Sequence, residues 1–154
     1  MKRLLVPAAA AAAAVLVFAV VNATAGSSRA KAGGSIHVIE HATTDAVTNG
    51  TAGDSAGNIL TFANDVYDAA DAHKIGSDQG YCVRTVVGAA WECNWTTFLP
   101  GGQITVEGPF SDTGNTVVAV TGGTGAYRNT RGSMQLIYHN AAGTKFDFVF
   151  NLVG

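Results

Sequence analysis

The chain has 154 residues, of which 13% are charged and 47% hydrophobic, and a formal net charge of −2. That length and apolar content suit one domain with a single packed core. Nine basic residues against eleven acidic ones exclude the cationic excess that covers phosphates, so no nucleic-acid partner is expected.

Lys2 and Arg3 are followed by an apolar or small run from Leu4 to Val21 and then by Ala23-Thr24-Ala25. A basic start, an apolar stretch and an A-x-A site make a secretory signal peptide over residues 1–25. A retained anchor is the rival reading. Its run, however, contains the weakly apolar alanines Ala8 to Ala14, whereas a spanning helix wants roughly 20 strongly apolar residues. No Cys follows the run, so a bacterial lipid anchor is not indicated. Cleavage after Ala25 leaves seven basic and eleven acidic residues, a formal charge of −4. The product is expected to be secreted and extracellular, and not to bind an anionic membrane surface.

Residues 26–34 (GSSRAKAGG) have linker composition. From Ser35 to the end, residues 35–154 form one domain. Runs rich in Val, Ile, Thr and aromatics recur there between Gly, Asn and Asp. Eight are read as strands: Ser35 to Ala42, Asn58 to Val66, Gln79 to Val87, Ala90 to Phe98, Gln103 to Phe110, Thr116 to Thr121, Gly132 to His139 and Lys145 to Val153. Short links such as Pro100-Gly101-Gly102 favour antiparallel neighbours. The fold class is all-β. An eight-stranded antiparallel barrel leaves no open edge, and a sandwich is the alternative that pattern alone leaves standing. Thr43 to Gly57 and Tyr67 to Asp78 are read as irregular. The second, with Asp65, Asp68, Asp71 and Asp78, is read as a solvated acidic loop, since it lacks the spacing of a calcium-binding hand.

Cys82 and Cys93 flank an apparent hairpin around Val87-Gly88-Ala89. An exported chain meets an oxidising compartment, which favours a disulfide between them over two buried thiols. No His sits near them in sequence for a zinc site or an activated thiol. His37 and His41 lie four residues apart on one strand, roughly 13 Å, too far to share a metal. They are read as exposed or at a subunit contact. No metal or other cofactor is expected. Asn49-Gly50-Thr51 and Asn94-Trp95-Thr96 match the glycosylation pattern.

Three segments resemble the allene oxide cyclase family: Gly57 to Tyr67 (GNILTFANDVY), Gln103 to Phe110 (QITVEGPF) and Thr121 to Tyr127 (TGGTGAY). Gly122 to Gly132 (GGTGAYRNTRG) is also similar to the glycine-rich turn of the dirigent proteins. That turn is neither a dinucleotide fingerprint nor a P-loop, because a strand and no Lys follows it. Its glycines are read as permitting positive φ at a tight corner. The resemblance runs from Ile36 to Leu152. It implies an eight-stranded antiparallel β-barrel with a central hydrophobic cavity, commonly assembled as a homotrimer.

Period-two alternation places Ile36, Val38 and Glu40 on one side of the first strand, and Leu60, Phe62 and Asn64 together on the second. Trp91, Cys93 and Trp95 share a face, as do Cys82 and Arg84. The resemblance puts Glu40 at the cyclases' catalytic glutamate, Leu60, Phe62 and Asn64 in the pocket, Cys82 at a pocket cysteine and Trp91 at a pocket aromatic. The cavity it implies is walled by Leu60, Phe62, Trp91, Trp95 and Phe110, with Glu40, Asn64 and Arg84 as polar groups. Apolar walls with a few convergent polar groups suit a small apolar or phenolic molecule. In such a site Glu40 would stabilise positive charge as a ring opens or closes, assisted by Asn64. The chain departs from the cyclases at Ala42, Asn49 and Phe110, where they carry Asn, Pro and Tyr. It departs from the dirigent proteins at Glu40-His41, where they carry His-Asp. Arg131 falls at the second Arg of the dirigent turn, or else pairs with Asp147.

Three functions follow as expectations: an isomerase or cyclase using Glu40, a dirigent-type guiding or carrier protein, and a scaffold whose barrel is filled. In the last, Glu40 merely pairs with Arg84 or a lysine.

Overall fold

The computed structural model describes residues 33–49 and 53–153, with the side chains of 48 and 49 left aside. The signal peptide, nearly all of the linker and most of the first glycosylation pattern lie outside the described residues. Ten strands follow in order: β1 (Gly34–His41), β2 (Ala46–Asn49), β3 (Ile59–Phe62), β4 (Asp65–Asp68), β5 (Lys74–Val86), β6 (Ala90–Leu99), β7 (Gly102–Ser111), β8 (Thr116–Gly123), β9 (Arg131–Tyr138) and β10 (Lys145–Val153). A 3-10 turn at Gly125–Tyr127 lies between β8 and β9. No helix among the described residues is long and apolar enough to cross a membrane.

Eight of the strands close on themselves in the order β1-β10-β9-β8-β7-β6-β5-β4, with β4 returning to β1, and every pairing is antiparallel. This is a closed eight-stranded antiparallel barrel. The sandwich alternative is thereby excluded. β3 continues the line of β4 along β5, and β2 flanks β3 as a short outer strand.

Alternation writes the barrel interior directly. On β10, Phe146, Phe148 and Phe150 point inward and are at most 5% exposed. They meet Met134 and Leu136 of β9, Val118 and Val120 of β8, and Ile104 and Val106 of β7 in one core. β-Branched and aromatic side chains suit this pleated, half-buried surface. The half of the interior around Val38, Ile104, Val120, Met134 and Phe150 is filled by side chains no more than 2% exposed.

The two stretches expected to be irregular are partly strand. Thr43 to Gly57 contains β2, and Tyr67 to Asp78 contains the second half of β4 and the first residues of β5. The sequence KIGSDQG has little strand propensity of its own. It becomes strand because its backbone is laddered between β4 and β6, a tertiary effect that overrides local preference. Gly80 fits there because a Cβ would lie 2.3 Å from the Trp95 Cβ. The run Asn58 to Val66 breaks between β3 and β4. The break is narrow: Asn64 N donates to Asp78 O at 3.0 Å, and Asp78 N donates to Asn64 O at 2.9 Å. In the glycine-rich turn, Gly125 has φ +59°, and a Cβ on it would meet Gly101 O at 2.1 Å. Positive φ and close approach together account for that glycine.

Candidate functional site

Glu40 sits near the end of β1, opposite Phe146 of β10 and Val66 of β4. Its side chain faces the interior and is 5% exposed. The break between β3 and β4 brings Asn64 to it. Asn64 Nδ2 donates to Glu40 Oε1 at 2.8 Å and to Asp45 Oδ1 at 2.8 Å. The amide oxygen of Asn64 accepts from Thr43 N, Thr44 N and Thr44 Oγ1 at 3.0, 3.0 and 2.9 Å. Ala63 N, at the break, donates to Thr44 Oγ1 at 2.8 Å. One buried amide therefore ties the segment after β1 to the carboxylate inside the barrel.

A third carboxyl completes the cluster. Asp78, on the inward face of β5, is 1% exposed, and its Oδ1 accepts from Asn64 N at 3.3 Å. Burial pushes the Glu40 carboxyl up to about 7, and the charge of Asp45 adds to the rise; hydrogen bonds from Asn64 and Asp78 hold it down. Burial pushes Asp78 well above the usual carboxylate range, and the charge and hydrogen bond of Glu40 push it further. Both carboxyls are thus pushed toward the protonated form. The logic is that of carboxyl pairs in which like charges cannot both ionise. Asp78 belongs to no solvated loop, which corrects the sequence-based expectation for that stretch. The clue lay in parity, since Asp78 alternates with Gly80, Cys82 and Arg84 along one face of β5.

The carboxyl cluster borders a cavity of about 40 Å³ lined by Glu40, Asp45, Leu60, Phe62, Cys82, Cys93, Trp95, Phe110, Leu136, Phe146 and Phe148. A volume of that size admits roughly three waters. Leu60, Phe62, Trp95 and Phe110 thus share the cavity with Glu40, and Asn64 stands behind it. Leu136, Phe146 and Phe148 were not singled out from sequence, although alternation on β9 and β10 points them inward.

Trp91 and Arg84 lie elsewhere. The Arg84 guanidinium stacks on the Trp91 ring at 3.8 Å. It pairs with Asp112 Oδ2 at 2.5 Å and with Asp54 Oδ1 at 2.7 Å. Trp91 Nε1 donates to Asp112 Oδ1 at 3.0 Å. Both side chains are consumed in a clamp that joins β5, β6 and the residues after β7, and neither lines the cavity. The pairing of Glu40 with Arg84 that a scaffold reading invoked is not formed. The partners of Glu40 are Asn64 and Asp78.

Cys82 and Cys93 face each other across β5 and β6 and are bonded, with Cα atoms 4.0 Å apart. On the outer surface, Asp147 Oδ1 pairs with His37 Nε2 at 2.7 Å and Asp147 Oδ2 with His139 Nδ1 at 3.0 Å. The pairing of Arg131 with Asp147 is therefore replaced; Arg131 donates to Thr130 O at 2.8 Å. His41 stacks on Tyr67 at 3.9 Å and pairs with Asp71 at 2.6 Å, and Asp71 also binds Lys145.

No protein-family model matches the chain, and no curated protein matches it. Solved structures do. A pyocyanin demethylase is 21% identical with a TM-score of 0.60, covering 75% of this chain and 99% of its own. A pterocarpan synthase dirigent protein is 14% identical with a TM-score of 0.65, covering 78% and 87%. An exo-specific intermolecular Diels-Alderase is 17% identical with a TM-score of 0.64, covering 80% and 99%. At these identities the likeness is one of fold. It relates the chain to barrels that include dirigent proteins and cyclising enzymes, and does not single out allene oxide cyclase.

Proposed function

We propose that this protein is an exported barrel that binds an apolar small molecule and cyclises or isomerises it, with Glu40 as the electrostatic group. One observation carries the reading: the buried carboxyl of Glu40, held by the Asn64 amide, lines a cavity whose walls, Asp45 apart, are apolar. A buried charge without purpose is costly. With its carboxyl pushed up to about 7, Glu40 is about half ionised near neutral pH, and Asn64 fixes that charge against aromatic walls. Such a preorganised charge stabilises a cationic centre developing on a bound molecule. Asn64 is the positioning residue, and Leu60, Phe62, Trp95 and Phe110 set the shape of the bound molecule. The fold shared with a Diels-Alderase and a dirigent protein supports the same reading. Export is supported by the leader sequence and by the disulfide, and a homotrimer, which the family resemblance implies, belongs to the proposal.

At about 40 Å³ the cavity is far below the few hundred Å³ of common ligand sites. A substrate must therefore displace the segment around Asp45, which Asn64 holds down. The test is native mass spectrometry of the secreted protein and of Glu40→Gln, after exposure to unsaturated fatty-acid epoxides and phenols. The expected result is retention of one compound class by both proteins, with conversion in the wild type alone. Equal retention without conversion in either would establish a carrier of dirigent type instead. No retention by either would leave a scaffold. The same spectra report the mass of the assembly.

A further inference from the structure

We infer that the molecule held in this cavity carries a hydrogen-bond acceptor oxygen, of the carbonyl class, and that Trp95 Nε1–H donates to it. The inference rests on the small-molecule reading above and deepens it by naming the chemistry of the ligand.

Two buried indoles lie four residues apart on β6, and they are treated differently. Trp91 has its donor satisfied by Asp112. Trp95 is 3% exposed, lines the cavity, and its Nε1 has no hydrogen-bond partner among the described residues. An indole nitrogen can only donate. Leaving a buried donor unpaired costs about 1–3 kcal/mol, and most buried indoles find a partner. The rings beside it, Phe148 and Phe62, have centroids 5.7 and 6.4 Å away and offer only weak π acceptance. The donor is therefore open to an acceptor inside the cavity, a water when the cavity is empty and an oxygen of the bound molecule when it is filled.

The rest of the lining restricts what brings that acceptor. Leu60, Phe62, Phe110, Phe146 and Phe148 require an apolar, unsaturated or cyclic body. A carboxylate as the acceptor is disfavoured, because Glu40 and Asp45 already place negative charge on the same wall. A neutral carbonyl meets both demands.

The sequence contains two Trp residues, so the indole N–H region of a ¹⁵N-correlated NMR spectrum of the uniformly labelled protein holds two signals, assigned with Trp95→Phe. The probes are cyclohexenone and α-tetralone, each compared with the analogue in which an exocyclic methylene replaces the carbonyl oxygen. The ketones are expected to move the Trp95 indole proton downfield and leave that of Trp91 in place, and the methylene analogues to bind without that shift. Trp95→Phe is expected to weaken the ketones about tenfold more than it weakens the analogues, the worth of one hydrogen bond. Because the spectrum is read on the wild type, an unstable variant does not remove the test. Equal binding of both members of a pair, with the Trp95 proton unmoved, would overturn the inference and leave the small-molecule reading intact. Absence of binding by every probe, with no shift at any cavity residue, would overturn both.

Discussion

Glu40 ties the stability of this protein to pH in an unusual sense. Its carboxyl rises from 4.5 to about 7 on folding, so the folded state holds a proton that the unfolded chain releases. The stabilisation is complete below about pH 4.5 and is lost as pH rises through about 7. The change is on the order of 3 kcal/mol. Asp68 and Asp71 act in the opposite direction. Asp68 is held down by the Ala72 backbone N–H and by His73, and Asp71 by Lys145 and His41, so their contribution is lost only as pH falls below the usual carboxylate range. Thermal melts at pH 5 and pH 8 are therefore expected to give the higher midpoint at pH 5. Glu40→Gln should raise the midpoint at pH 8 and reduce the difference, leaving the part due to Asp78. At this scale the sequence was partly legible. Period-two alternation and a family resemblance brought Glu40, Asn64, Leu60, Phe62, Trp95 and Phe110 into one account. Asp45 and Asp78 escaped it because each sat in a stretch read as loop. Arg84 and Trp91 share the parity of cavity residues, yet parity says nothing about depth, and Asp54 and Asp112 draw them to the rim.

Strands with alternating aromatic and β-branched residues were visible in the sequence because their own side chains require a sheet. β2 and the start of β5 were not, because their pairing is imposed by neighbours. The hairpin of β5 and β6 illustrates how much rests on such pairing. It carries Asp78 to Glu40, its disulfide forms part of the cavity wall, and its far end is gripped by Arg84 and Asp112. Cys82 and Cys93 are 11 residues apart, and closing a loop of that size stabilises by about 3 kcal/mol in the chain-entropy view. Replacing both cysteines by serine is expected to lower the stability in urea by that amount. The dependence on denaturant should stay nearly constant, since little surface exposure changes. Loss of the folded state altogether would mean that the bridge holds the barrel closed, beyond restricting the unfolded chain.

Barrel closure removes free edges from eight strands and leaves β2 outside the ring. β2 pairs with β3 alone, and its Val47 is 55% exposed. Local opening is governed by how many contacts must break. Amide hydrogen exchange should therefore begin in Ala46–Asn49 and end in β10, which is paired on both sides by β1 and β9 and anchored by Phe148 and Phe150. Protection in β2 equal to that in β10 would contradict this order. The closed topology itself was foreseeable from eight short strands with tight links. The extra strand was not, since Ala46 to Asn49 adds only four residues of weak pattern.

The filled half of the interior makes the cavity a pouch with a floor. Side chains of Val38, Ile104, Val120, Met134 and Phe150, each no more than 2% exposed, block passage through the barrel axis. Whatever is released must retrace the path by which it arrived. If the barrel turns over a substrate as proposed, accumulating product would stand in the way of the next molecule, and exchange would be throttled by its own output. Such exchange would run fastest where a later step carries that output away.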